Sequence, residues 1–389
     1  MKNTALRSFC LLILAFGFTA CLNDEVKIDV QHYSEEELQE IQQYLDLPAY
    51  RDAYQVDLAP HILNTGQILP SINNAKATLG RVLFYDNKLS ATGETSCESC
   101  HHQELAFSDD KAFSDGINGQ KTKRNSLPLA AVANFTNSYD SGPNSFGQIG
   151  FFWDERAGTI QNQSEQTISD DIEMGTDFND LEVKLANENY YRILFRKAYG
   201  DEAVTKDRIL EAIQEFVNSF VATNTRFDEG MNAMGAPGLD FPNFTIEENR
   251  GKAIFVDACG SCHAANMSTP SNIHVANNGL DVAYTDQGVG GISQQPNQFG
   301  VFKVPFLRNI ELTAPYMHDG RFATLEEVID HYSNGIQDHD NLSEVLRNPD
   351  GSPRRFNFTE EEKADLVAFF KTLTDETFIQ EERFSDPFQ

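Results

Sequence analysis

Cys97-Glu98-Ser99-Cys100-His101 and Cys259-Gly260-Ser261-Cys262-His263 are two copies of one pattern, C-x-x-C-H, in a chain of 389 residues. Two thiols at this spacing can add across the two vinyl groups of a haem, and the imidazole that follows swings under the iron as proximal ligand. Two other chemistries use paired cysteines. A structural zinc site needs four Cys or His ligands, and no second cluster flanks either pair. A thioredoxin-type dithiol sits in a βαβ setting, whereas strand-like alternation is scarce in this sequence. The two motifs therefore predict two covalently bound haem c groups, one on Cys97, Cys100 and His101 and one on Cys259, Cys262 and His263.

The other cysteines lie near the N-terminus. Six are present, and besides the four above only Cys10 and Cys21 remain. Lys2 and Arg7 precede an apolar run from Phe9 to Phe18 that is too short to cross a bilayer, which reads as a cleaved export signal over residues 1–20. Phe18-Thr19-Ala20-Cys21 resembles a lipobox, which implies a diacylglycerol on Cys21 and a chain tethered to a bacterial membrane on its periplasmic side, the outer membrane being the expected one. No cysteine is left for a structural disulfide, although that compartment permits one.

Charge narrows the partners. The formal net charge is −29, so nucleic acid, which needs a basic footprint, is excluded as a partner. An acidic surface suits a cationic partner such as a small basic electron-carrier protein.

The pattern along the chain is mainly α, with two haem domains of cytochrome c type and long connecting loops. Capping boxes at Ser34/Glu37, Thr245/Glu248, Thr324/Glu327 and Thr359/Glu362 mark helix starts. Helical periodicity covers 181–199 and 206–222, and loops rich in Gly, Asn and Ser fill 114–150 and 268–300. One internal repeat stands out: Gly80-Arg81-Val82-Leu83-Phe84-Tyr85-Asp86 leads to the first haem motif, and Gly251-Lys252-Ala253-Ile254-Phe255-Val256-Asp257 to the second. The expected organisation is a signal at 1–20, a tether and short helix at 21–60, an N-terminal haem domain at 61–235 and a C-terminal one at 236–389, with the boundary in the Gly/Pro/Asn-rich stretch 230–243.

Several ordered blocks between Leu79 and Leu373 resemble the bacterial dihaem cytochrome c peroxidase family, including its MauG-type branch. They are Leu79 to Asp86, Arg124-Asn125-Ser126, Phe152-Trp153-Asp154-Glu155-Arg156-Ala157, Ile172-Glu173-Met174, Leu307-Arg308-Asn309 and Thr313-Ala314-Pro315-Tyr316-Met317-His318-Asp319-Gly320. The resemblance implies that the N-terminal haem reacts with hydrogen peroxide while the C-terminal haem relays electrons from a donor. It places Trp153, the single tryptophan, between the haems as an electron relay. Glu173 falls at the distal carboxylate that moves a proton between the peroxide oxygens, and Gln163 at a pocket amide. Taken alone, Glu173 beside Asp170 and Asp171 reads as a solvated acidic run, and a lone Trp as core.

Two departures from the peroxidase pattern bear on mechanism. Many members carry a His in the loop before Arg-Asn-Ser that blocks the N-terminal iron until the other haem is reduced; here Gly116 to Lys123 contains none. Members with Met before Pro-Tyr use it as sixth ligand of the C-terminal haem; here that residue is Ala314, and the MauG branch uses a Tyr. Tyr316 is the candidate, with Met317 and His318 as competing donors. The family also holds a Ca²⁺ between the haems, for which Asn125, Lys303 and Pro305 are the matching donors. The expected function is a peroxidase that draws electrons from a small cytochrome c or cupredoxin. Its rivals are MauG-like oxidation of a partner protein and a non-enzymatic dihaem electron-transfer protein.

Overall fold

The computed structural model describes residues 33–47, 54, 58–65, 71–130, 150–269 and 271–389; the export signal and Cys21 lie outside them. Twelve α-helices are found there. They are α1 (Glu35–Ile41), α2 (Pro60–Leu63), α3 (Asn74–Tyr85), α4 (Ile160–Ser169), α5 (Phe178–Ala186) and α6 (Asn189–Tyr199). Then come α7 (Lys206–Val217), α8 (Arg226–Met234), α9 (Ile246–Ala258), α10 (Val289–Ser293), α11 (Leu325–Asp330) and α12 (Glu360–Lys371). The sheet is minimal: β1 (Val275–Ala276) pairs antiparallel with β2 (Phe302–Lys303), Val275 opposite Lys303. All four capping boxes read from the sequence are formed. The 181–199 periodicity resolves into two helices, because the chain turns after Ala186 and restarts at Asn189.

Two apolar clusters organise these helices. The first gathers α3, α6 and α7 around Phe84, Phe107, Phe216 and Phe220, with Phe107 and Phe220 stacked at 4.1 Å. The second gathers α8, α9 and α12 around Phe227, Phe255 and Phe369. Packing does not follow the expected boundary at 235. Helix α8 belongs to the second cluster, while Phe378 and Phe384, near the C-terminus, return to the first. There the Tyr85 hydroxyl donates to Phe384 O at 2.6 Å, Arg81 Nε donates to Ser385 O at 2.7 Å, and Leu45 bridges Phe388.

The glycine that opens each copy of the repeat has the same physical role. A Cβ on Gly80 would stand 1.9 Å from Ala212 O of α7, and a Cβ on Gly251 would stand 1.9 Å from Asp365 O of α12. Each haem motif is thus delivered by a helix that touches its neighbour backbone to backbone, and only the missing side chain allows that approach. Gly251→Ala must push α9 and α12 apart; we expect a loss of at least about 2 kcal/mol, from the overpacking range, read as a lower urea midpoint of the haem-loaded protein.

A buried ion pair ties the two clusters together. Arg308 donates to both oxygens of Asp228 at 2.8 and 2.7 Å, and to Ala222 O and Met267 O. His61 Nε2 meets Asp228 Oδ1 at 2.8 Å, and the Thr225 hydroxyl donates to Oδ2 at 2.7 Å. Burial pushes the Asp228 carboxyl up, but Arg308, His61 and Thr225 outweigh it and hold it well below the usual carboxylate range.

Candidate functional site

Helix α3 ends at Tyr85, and the chain returns so that Cys97 N donates to Phe84 O at 3.1 Å. A short helical turn, Glu98–Cys100, then presents the first motif. Ala106 and Phe107 follow in left-handed backbone (φ 55° and 59°), and Phe107 O meets His101 Nδ1 at 2.8 Å. The Ser126 hydroxyl, which donates to Cys100 O at 2.8 Å, lies 3.3 Å from the same nitrogen. With a carbonyl on Nδ1, that nitrogen carries the proton and Nε2 keeps its lone pair, the tautomer a metal ligand requires. Burial pushes the imidazole down to about 4, only partly offset by that carbonyl, so it is neutral at pH 7.

The second motif is built alike. Helix α9 runs directly into it, Cys259 N donating to Phe255 O at 2.9 Å, and His263 Nδ1 rests on Pro305 O at 3.1 Å. Burial pushes His263 down to about 4 as well. The thiols of Cys97, Cys100 and Cys259 are pushed up to about 12 by burial, and Cys262 is raised. A redox dithiol needs the opposite, a lowered thiol. Nor, among the described residues, does any group of three or more His, Cys, Asp or Glu assemble a metal site. Neutral thiols beside an oriented imidazole fit covalent haem.

Beside His101 lies a cavity of about 710 Å³, a size suited to a cofactor. Its walls include Cys97, Cys100, His101, Asn125, Trp153, Gln163, Glu173, Lys303 and Pro305, so residues scattered over two hundred positions of sequence converge on one space. Helix α4 supplies Gln163. Just beyond it, Asp170 Oδ1 accepts from the backbone N–H of Ile172 and of Glu173 at 2.8 and 3.2 Å. That turn leaves Asp170 and Asp171 exposed and folds Glu173 into the cavity wall. Burial raises the Glu173 carboxyl, Asp170 adding to the effect against the lowering influence of Thr167 and Arg156.

The loop that lacks a His lies against this same turn. Ile117 N donates to Ile172 O at 2.9 Å, and a Cβ on Gly116 would stand 2.0 Å from that oxygen. Among the described residues lining the cavity, His101 is the only imidazole.

Trp153 is buried, and its indole N–H donates to Asn125 O at 2.8 Å. Its ring stands 6.5 Å from His318, edge on, and His318 stacks on Phe302 at 3.8 Å. Lys303 fastens the loop that carries Trp153: its backbone N–H donates to Trp153 O at 2.7 Å, and its ammonium to Gly150 O and Glu155 at 2.8 and 3.1 Å. Asn125, Lys303 and Pro305 do share this wall. Pro305 O, however, already holds His263, and Asn125 Nδ2 donates to Lys111 O at 3.1 Å.

Tyr316 lies in the same apolar cluster as Cys259 of the second motif. Its hydroxyl donates to Ile310 O at 3.0 Å. A second tyrosine near that thiol pair is Tyr332. Burial pushes its hydroxyl up to about 12, against a hydrogen bond from Asn278, and Cys262 and Cys259 add a smaller raising influence. Tyr332 lies in a π-helical turn, His331–Gly335, which continues α11. A signal for it lies in the sequence: after the Thr324/Glu327 capping box, Leu325, Val328, Ile329 and Tyr332 fall at the i, i+3, i+4, i+7 spacing of one apolar helix face. Sequence reading also misses Asp286, which takes Arg124 in a bidentate pair at 2.7 and 2.8 Å while Arg124 donates to Asp154 at 2.6 Å.

Known proteins resemble this chain over most of its length. A family model described as di-haem cytochrome c peroxidase matches residues 74–234. Methylamine utilization protein MauG of Methylophilus methylotrophus is 30% identical over 308 residues, covering 77% of this chain and 82% of that protein. Cytochrome c551 peroxidase of Nitrosomonas europaea is 30% identical over 305 residues, covering 78% and 80%. A solved structure of a MauG-like protein associated with microbial copper homeostasis superposes with a TM-score of 0.70 at 32% identity, over 82% of this chain and 96% of that one. The chain belongs to the di-haem cytochrome c peroxidase and MauG family, oxidoreductases of peroxidase type that carry two c-type haems.

Proposed function

We propose that this chain reduces hydrogen peroxide in the cavity beside His101, using electrons delivered through a second haem unit on Cys259, Cys262 and His263. The observation that carries this reading is that Glu173 and Gln163 face the same cavity as His101, with no second imidazole among its described walls. A haem bound there supplies an open iron position and the redox equivalents. His101 offers Nε2 as proximal donor. Glu173 accepts the proton of the inner peroxide oxygen and returns it to the outer one, which leaves as water; Gln163 orients the substrate by its amide. Two electrons and two further protons complete the conversion to two waters. Trp153 carries the electrons between the two units. The units are the two apolar clusters, with the C-terminal residues folded back on the first.

For the second haem we place the oxygen donor at Tyr332: both tyrosines lie near the thiol pair, but the Tyr316 hydroxyl is spent on Ile310 O, whereas that of Tyr332 accepts from Asn278. A tyrosine oxygen lowers the potential relative to Met. That, with the loop without His, favours a MauG-like reading in which the final reductant is a side chain of a partner protein; a small cytochrome c or cupredoxin is the other donor. Export, a lipid on Cys21, a periplasmic location and a Ca²⁺ near Asn125 belong to the same proposal. In Trp153→Phe, we expect peroxide to react at an unchanged rate while peroxide-dependent oxidation of added ferrocytochrome c falls about tenfold or more, the loss of about 1.4 kcal/mol of coupling. Stopped-flow spectra separate the two phases, and equal rates in both would remove Trp153 from the path.

A further inference from the structure

Asn278 touches two lone-pair donors, Tyr332, which lies near the second thiol pair, and Met317, which packs beside Trp153 and Leu280. Its side-chain nitrogen donates to the Tyr332 hydroxyl at 3.4 Å and to the Met317 sulfur at 3.6 Å. Its backbone oxygen meets His331 Nε2 at 3.0 Å, so it grips residues 331 and 332 by separate groups. Those two open the π-helical turn, a local widening that in helices is found frequently at functional sites. The next residue extends the grip. Gly279 O accepts from Gln337 N at 2.7 Å, and Gly279 sits at φ 69°, where a Cβ would come within 2.7 Å of the Ile336 side chain. The amide of Asn278 is therefore fixed relative to the turn that carries Tyr332.

We propose that Asn278 is a positioning residue that selects which atom is offered to the C-terminal haem, the oxygen of Tyr332 or the sulfur of Met317. This rests on the reading of Tyr332 as that donor. A ligating tyrosine oxygen is anionic, and an N–H aimed at an anion makes a bond about twice as strong as a neutral one. A thioether is neutral and a weak acceptor, so the same N–H gives it little. One amide shared by both atoms thus tilts the choice toward oxygen. Without that N–H, a haem held at the second motif would take the Met317 sulfur in place of the Tyr332 oxygen; the phenol oxygen would take one proton from solvent, and no electron would move.

The test uses the full chain carrying both haems, with haem content as the check on folding. Asn278→Leu removes the amide, and Asn278→Asp keeps its size without the N–H and decides the matter if the Leu variant does not load. The ferric spectrum through the near infrared and the midpoint potential of the C-terminal haem are read. We expect a sulfur-to-iron charge-transfer absorption in both variants, and a shift of the one-electron equilibrium toward ferrous of about tenfold or more, or ~59 mV upward. Adding Met317→Leu should abolish the new absorption. An unchanged spectrum and potential in Asn278→Asp, while Tyr332→Phe alters both, would overturn the proposal and leave Tyr332 as donor. A shift that survives Met317→Leu would overturn it too. If Tyr332→Phe alters neither readout, the underlying reading fails and the proposal with it.

Discussion

Glu173→Gln should slow the reaction of the oxidised protein with peroxide by roughly 10²-fold or more, the usual contribution of a positioned acid/base. The amide keeps the size of the side chain and can still hydrogen-bond, but it cannot take a proton from one oxygen and return it to the other. The backbone turn that points residue 173 into the cavity is held by Asp170 accepting from main-chain N–H groups, so the substitution leaves the wall in place. Haem content and the resting spectrum should be unchanged. The pH profile gives a second check. Burial and Asp170 raise the Glu173 carboxyl, and a base must be ionised to accept a proton. The rate therefore falls as pH drops through a value above the ordinary glutamate range, and the Gln variant should lose that limb. A Gln variant with the parent rate and profile would remove Glu173 from the mechanism.

Asp228→Ala should destabilise the protein by about 3–5 kcal/mol, because it strands a buried cation. The Arg308 side chain has no solvent exposure and Asp228 has 2%. Removing the carboxylate leaves the guanidinium with two backbone carbonyls only and takes the partner from His61 Nε2. Since Asp228 draws together α2, α8 and the segment at Arg308, its loss should loosen the contact between the two apolar clusters. The double variant Asp228→Leu/Arg308→Met should recover part of the loss, since no buried charge then remains unpaired. Urea midpoints of the haem-loaded forms measure both effects. The pH dependence follows in sign: the folded carboxyl lies below its unfolded value of about 3.9, so the stabilisation is full above that value and lost as pH falls through the folded one. A single variant within 1 kcal/mol of the parent would show that the pair is not what joins the clusters.

The parts legible in the sequence were those whose chemistry is local. Both haem motifs, the helix that leads into each and all four capping boxes depend on residues within a few positions of one another. The repeat was visible as a pattern, but its reason, two glycines pressed against Ala212 O and Asp365 O, appears only when the partner helices are in place. Glu173 shows the limit of local reading from the other side: next to Asp170 and Asp171 it looks like surface, and a backbone turn, not composition, sends it inward. Tyr316 and Tyr332 show it again. They stand sixteen positions apart, each near a His and each near the second thiol pair, and the partners of their hydroxyls, Ile310 O and the Asn278 amide, distinguish them. The return of Phe378 and Phe384 to the first cluster, and the pairing of Arg124 with Asp286, join positions so distant that no periodicity reports them.

The most direct test of peroxide chemistry at the cavity beside His101 is a single addition. One equivalent of hydrogen peroxide is mixed with the fully oxidised, dihaem protein, and the absorption spectrum is recorded through the near infrared. A rapid change without prior reduction is the expected result, as the loop at Gly116 to Lys123 brings no imidazole to that iron. A spectrum that stays still until one electron is supplied would contradict it, and would mean that a hidden sixth ligand closes the site.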